Sequence, residues 1–148
     1  MKKHGVLIFV LVLALLTGVA AWCHLAGREQ VAAGTVQITV AGQTKTVQLS
    51  GLEYVTVSGV RVNGKGESIP VEGMGIPLKA LLETEQVDSF AKITVVADDS
   101  YRAELTAEEV AEDGKAYLLL QEDTLRLVVF GDENSKRSIT HVVQIVVE

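Results

Sequence analysis

Asp123–Val147, DTLRLVVFGDENSKRSITHVVQIVV, is the stretch whose reading decides the fold. Leu125–Phe130 is apolar apart from Arg126, which is how a strand covered on both faces reads. Gly131–Arg137 is polar and contains Lys136 and Arg137. Ile139–Val147 is apolar again and reads as a second strand. Two such strands need a core to bury them, so the preceding chain must supply partner strands. The loop between them, with His141 after it and Arg126 nearby in sequence, is the chain's nearest approach to a binding site.

Working back from this stretch, strand signals recur. Thr35–Leu49 alternates around a turn at Ala41-Gly42-Gln43-Thr44 and predicts a hairpin. Tyr54–Val62 alternates again, with Gly59 as the expected site of a bulge. Asn63–Gly66 is a second turn. Gly73-Met74-Gly75-Ile76-Pro77 breaks the alternation, and Pro77 is suited to the first turn of a helix carrying Leu78, Leu81 and Leu82. A second helical turn is expected around Glu85–Ser89. Ala91–Ala97 and Tyr101–Leu105 form another expected hairpin about Asp98-Asp99-Ser100. Thr106-Ala-Glu-Glu109 is a capping box that opens a short helix to about Glu112. Ala116–Gln121 is a strand, and Glu122-Asp123 turns it into the opening stretch. The sum is an α+β, strand-rich single domain over residues 35–148 with short inserted helices.

The N-terminus differs in kind. Residues 1–4 are basic, and residues 5–27 contain no Asp, Glu, Lys or Arg. About 20 apolar residues span a bilayer, so 5–27 predicts one transmembrane signal-anchor with its basic end in the cytoplasm. Cleavage after Ala21 or near Ala33, or acylation of Cys23, are the competing readings. Each of them sends residues 35–148 out of the cytoplasm, beyond a linker at 28–34.

Charge narrows the partners. The chain carries 13 basic and 19 acidic residues, a net charge of −6. Residues 1–28 hold three of the bases (Lys2, Lys3, Arg28) and no acid, so the remainder is near −9. That balance excludes nucleic acid, or an anionic membrane surface, as the main partner of the domain. Cys23 is the one cysteine, so the domain has no disulfide, thiolate metal site or thiol redox centre. Asp98-Asp99 and Asp132-Glu133-Asn134 are hard-oxygen clusters without EF-hand spacing and read as solvated turns. Glu108, Glu109, Glu112 and Asp113 read as a solvated helix face. His141 is the one histidine of the domain.

Three stretches, in order, resemble the oxidoreductase molybdopterin-binding domain, the fold of sulfite oxidases and their bacterial relatives. They are Gly75-Ile-Pro-Leu-Lys-Ala-Leu-Leu82; Ile93-Thr-Val-Val-Ala-Asp-Asp-Ser-Tyr101; and Thr124-Leu-Arg-Leu-Val-Val-Phe-Gly131 with Lys136-Arg137 and Ile145-Val-Val147. The resemblance implies a sulfite-oxidase-like fold. It also implies that Lys136 and Arg137 belong to the basic loop near the cofactor, with Arg126 and His141 as neighbours. Catalytic members ligate molybdenum through a cysteine in a Glu-Cys-x-Gly-Asn-like motif, and residues 35–148 contain no cysteine. Ser100 replaces a family glycine, Thr124 and Phe130 replace two prolines, and Thr140-His141 stand where Lys-Trp is common. The expectation is a membrane-anchored, extracytoplasmic module that binds a partner or small anion, with no catalytic residue, metal or cofactor. The alternative is a molybdopterin-binding accessory or electron-transfer subunit that works with an envelope redox protein.

Overall fold

A computed structural model describes residues 8, 10, 12–19, 34–122 and 124–148. The chain divides into two compact units, Met1–Gln30 and Val31–Glu148. In the first, residues 12–19 are helical, and Thr17 Oγ1 donates to the carbonyls of Leu13 (2.9 Å) and Ala14 (3.0 Å). Most of the expected span at 5–27, and all but Gly34 of the expected linker at 28–34, lie outside the described residues. Among the described residues no helix is long and apolar enough to cross a membrane.

Among its described residues the second unit is strand-rich, with two short α-helices and one 3-10 turn at Leu49–Gly51. Its strands are β1 Thr35–Val40, β2 Gln43–Gln48, β3 Val55–Val62, β4 Ser68–Pro77, β5 Lys92–Ala97, β6 Arg102–Thr106, β7 Ala116–Gln121, β8 Thr124–Val129 and β9 Val142–Val147. The helices are α1, Leu78–Thr84, and α2, Ala107–Ala111. One sheet has the order β2-β1-β9-β5-β6, and the other β3-β4-β7-β8. The first sheet is antiparallel except where β1 runs parallel to β9. The second is wholly antiparallel.

Alternation explains which faces are buried. Val36 and Ile38 of β1, Ile93 and Val95 of β5, and Ile145 of β9 enter one core. Ile76, Leu118 and Leu127 of the other sheet join them, with Leu78, Leu81 and Leu82 of α1 and Val110 of α2. The β1–β2 turn is a two-residue loop, Ala41-Gly42, both at positive φ (49° and 79°). Two positive φ values suit the right-handed twist of a hairpin. Gln43 and Thr44, expected in this turn, are already in β2.

Several boundaries differ from the sequence reading. β4 does not stop at Gly73 but continues to Pro77. The glycines extend the strand because they leave room for β7. A Cβ on Gly75 would lie 3.0 Å from the Leu118 carbonyl oxygen, and one on Gly73 would lie 3.1 Å from Leu119 Cδ2. The second helical turn at Glu85–Ser89 does not form. Gln86 takes φ 61°, and Val87 N–H returns to the Leu82 carbonyl (2.9 Å), closing α1. The second strand of the opening stretch begins at Val142, three residues later than expected. Ile139 instead gives its carbonyl to Leu127 N–H (2.8 Å), which carries the loop over the edge of β8. The two apolar strands of the opening stretch therefore belong to different sheets and are not paired with each other.

Gly59 is not a bulge. β3 and β4 pair in unbroken register through it, with Gly59 opposite Val71. The glycine makes room for Phe130, whose Cε1 would lie 2.5 Å from a Cβ at that position. Phe130 also packs edge-on against Tyr117, with ring centroids 6.0 Å apart. Gly59→Ala is expected to cost about 1–2 kcal/mol of stability by overpacking. Phe130→Leu in the same chain should recover part of that loss in urea unfolding. An unchanged midpoint in the single variant would show that the ring yields freely.

Candidate functional site

The loop from Gly131 to His141 connects β8 to β9. Asn134 folds it locally, its Oδ1 accepting from Lys136 N–H at 3.0 Å. Ser138 N–H donates to the Ser135 carbonyl at 3.1 Å. His141 enters β9 at φ 57°. Histidine, with asparagine and aspartate, is among the non-glycine residues enriched in that region. The His141 carbonyl accepts from Asp98 N–H (3.0 Å), so its backbone locks the β5–β6 turn while its side chain is exposed.

The two loop cations have opposite surroundings. Arg137 is half-buried and enclosed by acids. Its Nε donates to Asp132 Oδ2 (2.9 Å) and its Nη2 to Asp132 Oδ1, a fork-to-carboxylate pair. Its Nη1 reaches both Glu109 oxygens at 2.8 Å and the Glu104 carbonyl at 3.3 Å. The Asp132 hydrogen bonds outweigh burial, and with help from Glu109 they raise the guanidinium further above its ordinary value. Burial would raise the Glu109 carboxyl, but the Thr106 N–H and Arg137 outweigh it and hold Glu109 below the usual carboxylate range. Glu109 is thus not part of a solvated face. It completes the capping box with Thr106 and pins the loop to α2. Asp132, expected in a solvated turn, is the other anchor.

Lys136 is exposed and makes no ion pair among the described residues. Its carbonyl accepts from the Tyr101 hydroxyl at 3.0 Å, which ties the loop to the β5–β6 turn. Asp99 Oδ1 in turn accepts from Tyr101 N–H at 3.0 Å. Between loop and turn lies an open cleft of about 220 Å³, lined by Asp99, Tyr101, Ser135, Lys136, Ser138 and Thr140 among others. Ser138 Oγ is buried at its edge with no hydrogen-bond partner among the described residues. Buried polar atoms normally find partners, ordered water included, so this hydroxyl is available to a water or a ligand in the cleft.

The structure brings Lys136 to this cleft and commits Arg137 to the fold. Arg126 is not gathered with them; it lines a different cleft with Arg61. Asp99 was read from sequence as part of a solvated turn, and neither Tyr101 nor Ser138 was read as a site residue. Tyr101 was visible only as the end of an Asp-Ser-Tyr turn, and nothing local in sequence places it against a loop 35 residues away. The site does not fit a molybdenum-pterin group. No thiolate exists in residues 34–148, and one of the two expected cations is already neutralised by two carboxylates. Among the described residues no three His, Cys, Asp or Glu side chains converge as a metal site. No family model matches the chain, and the search of curated proteins returned no match, so the assignment of the site rests on this geometry.

Proposed function

We propose that residues 35–148 form a non-catalytic binding module of the molybdopterin-binding-domain type, held outside the cytoplasm by the N-terminal segment. Its ligand is a small anion or an anionic group on a partner, received in the cleft at Lys136. The observation that carries this reading is an unpaired lysine beside a cleft, on a loop whose other cation is used up in holding the loop still. A rigid rim with an exposed, unpaired cation among the described residues is preorganised to bind, and preorganisation lowers the cost of association.

The reading makes an unusual demand on Lys136→Glu. Because Lys136 holds no ion pair, the substitution should change stability by no more than about 0.5 kcal/mol. It should nevertheless abolish the amide shifts of Ser135, Ser138 and Thr140 that small carboxylates produce in the wild-type protein by NMR. Full-length protein from its native host should carry neither molybdenum nor pterin in stoichiometric amounts. Finding both at one per chain would overturn the non-catalytic reading in favour of a cofactor-binding subunit.

A further inference from the structure

The outer face of the four-stranded sheet, away from the main core, carries its own apolar patch of Val57, Val71, Leu119 and Val128. Strand alternation puts Arg61 on the Val57 face of β3 and Arg126 on the Val128 face of β8. In register, Arg61 lies opposite Ile69, and Arg126 lies opposite Leu119. The two arginines line one cleft of about 210 Å³, with Ile69, Pro70 and Val71 as its apolar wall. Glu72 and Gln121 complete the lining.

Neither arginine forms an ion pair among the described residues, and Glu72 bonds to neither. Arg126 Nε is buried without a hydrogen-bond partner among the described residues. An unpartnered buried donor on a charged group is costly, and a second guanidinium nearby adds repulsion. Burial, and after it the charge of Arg61, push Arg126 below its ordinary value. Arg137 shows the opposite treatment in the same domain, with two carboxylates supplied for one guanidinium. Two guanidiniums in one cleft, ion-paired neither to Glu72 nor to any other acid among the described residues, are complementary to a dianion, which they hold through forked, charge-assisted hydrogen bonds.

We infer that the cleft between Arg61 and Arg126 binds a doubly charged tetrahedral oxyanion of the phosphate or sulfate class, free or as the ester end of a small organic molecule. The cleft is larger than one such ion, and the Ile69–Val71 wall offers contact to an organic remainder. This site lies on different strands and a different cleft from Lys136, so it stands whether or not the loop cleft binds its own ligand.

Calorimetric titration of the full chain in chloride buffer tests it, with inorganic phosphate, sulfate, glycerol phosphate and acetate as probes. The dianions should bind at one site per chain, with acetate about 10-fold weaker or more. Arg61→Met or Arg126→Met should each weaken binding by about 10-fold, and the double variant should abolish it. The unliganded double variant should melt no lower than the wild type, because it removes a repulsive pair; this separates loss of the site from loss of the fold. Glycerol phosphate binding more tightly than inorganic phosphate assigns the ester form, and equal affinities assign the free ion. No saturable heat with any dianion, acetate binding as tightly as the dianions, or unchanged affinity in the double variant overturns the inference.

Discussion

Arg137→Met is expected to lower the unfolding free energy by about 2–3 kcal/mol, which for a domain of this size is a fall of about 10 °C in Tm. The substitution keeps much of the aliphatic stem and removes the fork. Asp132 and Glu109, both largely shielded from solvent, then face each other's loop without a cation. Leaving partly buried charges unpaired is the costly part, more than losing the attraction itself. Arg137→Lys should recover less than half of the loss, because one ammonium cannot serve Asp132 with two parallel bonds and reach Glu109 as well. The pH dependence carries the same signature. Glu109 is depressed in the folded state, so its contribution is fully present above its unfolded value of about 4.3 and is lost as pH falls through the folded value. Wild-type stability should therefore fall as the pH drops through and below the ordinary carboxylate range, and that slope should flatten in Arg137→Met. A variant that melts within about 1 °C of the wild type would make the cluster a surface decoration.

Leu127→Ala should cost more, about 3–4 kcal/mol. Leu127 has no exposed surface and lies in the core shared by the two sheets. Its neighbour across the strand pair is Leu118, also fully buried. Its N–H takes the Ile139 carbonyl, so the backbone there fixes the path of the functional loop and cannot collapse freely into the cavity. The control is Leu120→Ala, on the adjacent strand but 42% exposed, which should cost less than about 1 kcal/mol. Urea unfolding followed by far-UV circular dichroism measures both. Equal losses at the two positions would mean that the core is not where these leucines place it. The loop cleft should loosen in Leu127→Ala as well, visible as faster amide exchange at Ser138 and Thr140.

What was legible in sequence was what local chemistry fixes. Alternation located β1 and β3, apolar runs beside turn residues located β5 and β7, and the capping box at Thr106 and Glu109 opened α2 where expected. The misreadings share a cause in long-range contacts. Gly59 looked like a bulge because the residue that needs its bareness, Phe130, is far along the chain. Gly73 and Gly75 looked like a break because the close approach of β7 is not written beside them. Ile139–His141 looked like strand, yet their backbone is spent on Leu127 and Asp98. The site divided in the same way. A pair of basic residues, Lys136-Arg137, was plain, but its division into one free and one captive cation depends on Glu109, which acts twice in the fold. Arg126 was visible as a charge inside an apolar run, whereas Arg61 drew no notice, since the cleft they share exists only after two hairpins have formed. The sulfite-oxidase-like assignment remains a proposal, resting on three short stretches that here form the end of β4 with α1, β5 with its turn, and β8 with the loop and β9.

The parallel pairing of β1 with β9 has a consequence for the order of events when the chain folds. Gln144 donates to Thr39 across 105 residues of sequence, at 2.8 Å. β9 is the middle strand of its sheet, so the β1–β2 and β5–β6 hairpins can form early but have nothing to join them. Closing that gap brings together strands separated by nearly the whole domain, a topology associated with slow folding. During synthesis the two hairpins must wait, with the inner edges of β1 and β5 open, until β9 arrives and covers both at once. Chaperone dependence and aggregation risk should therefore concentrate in that interval.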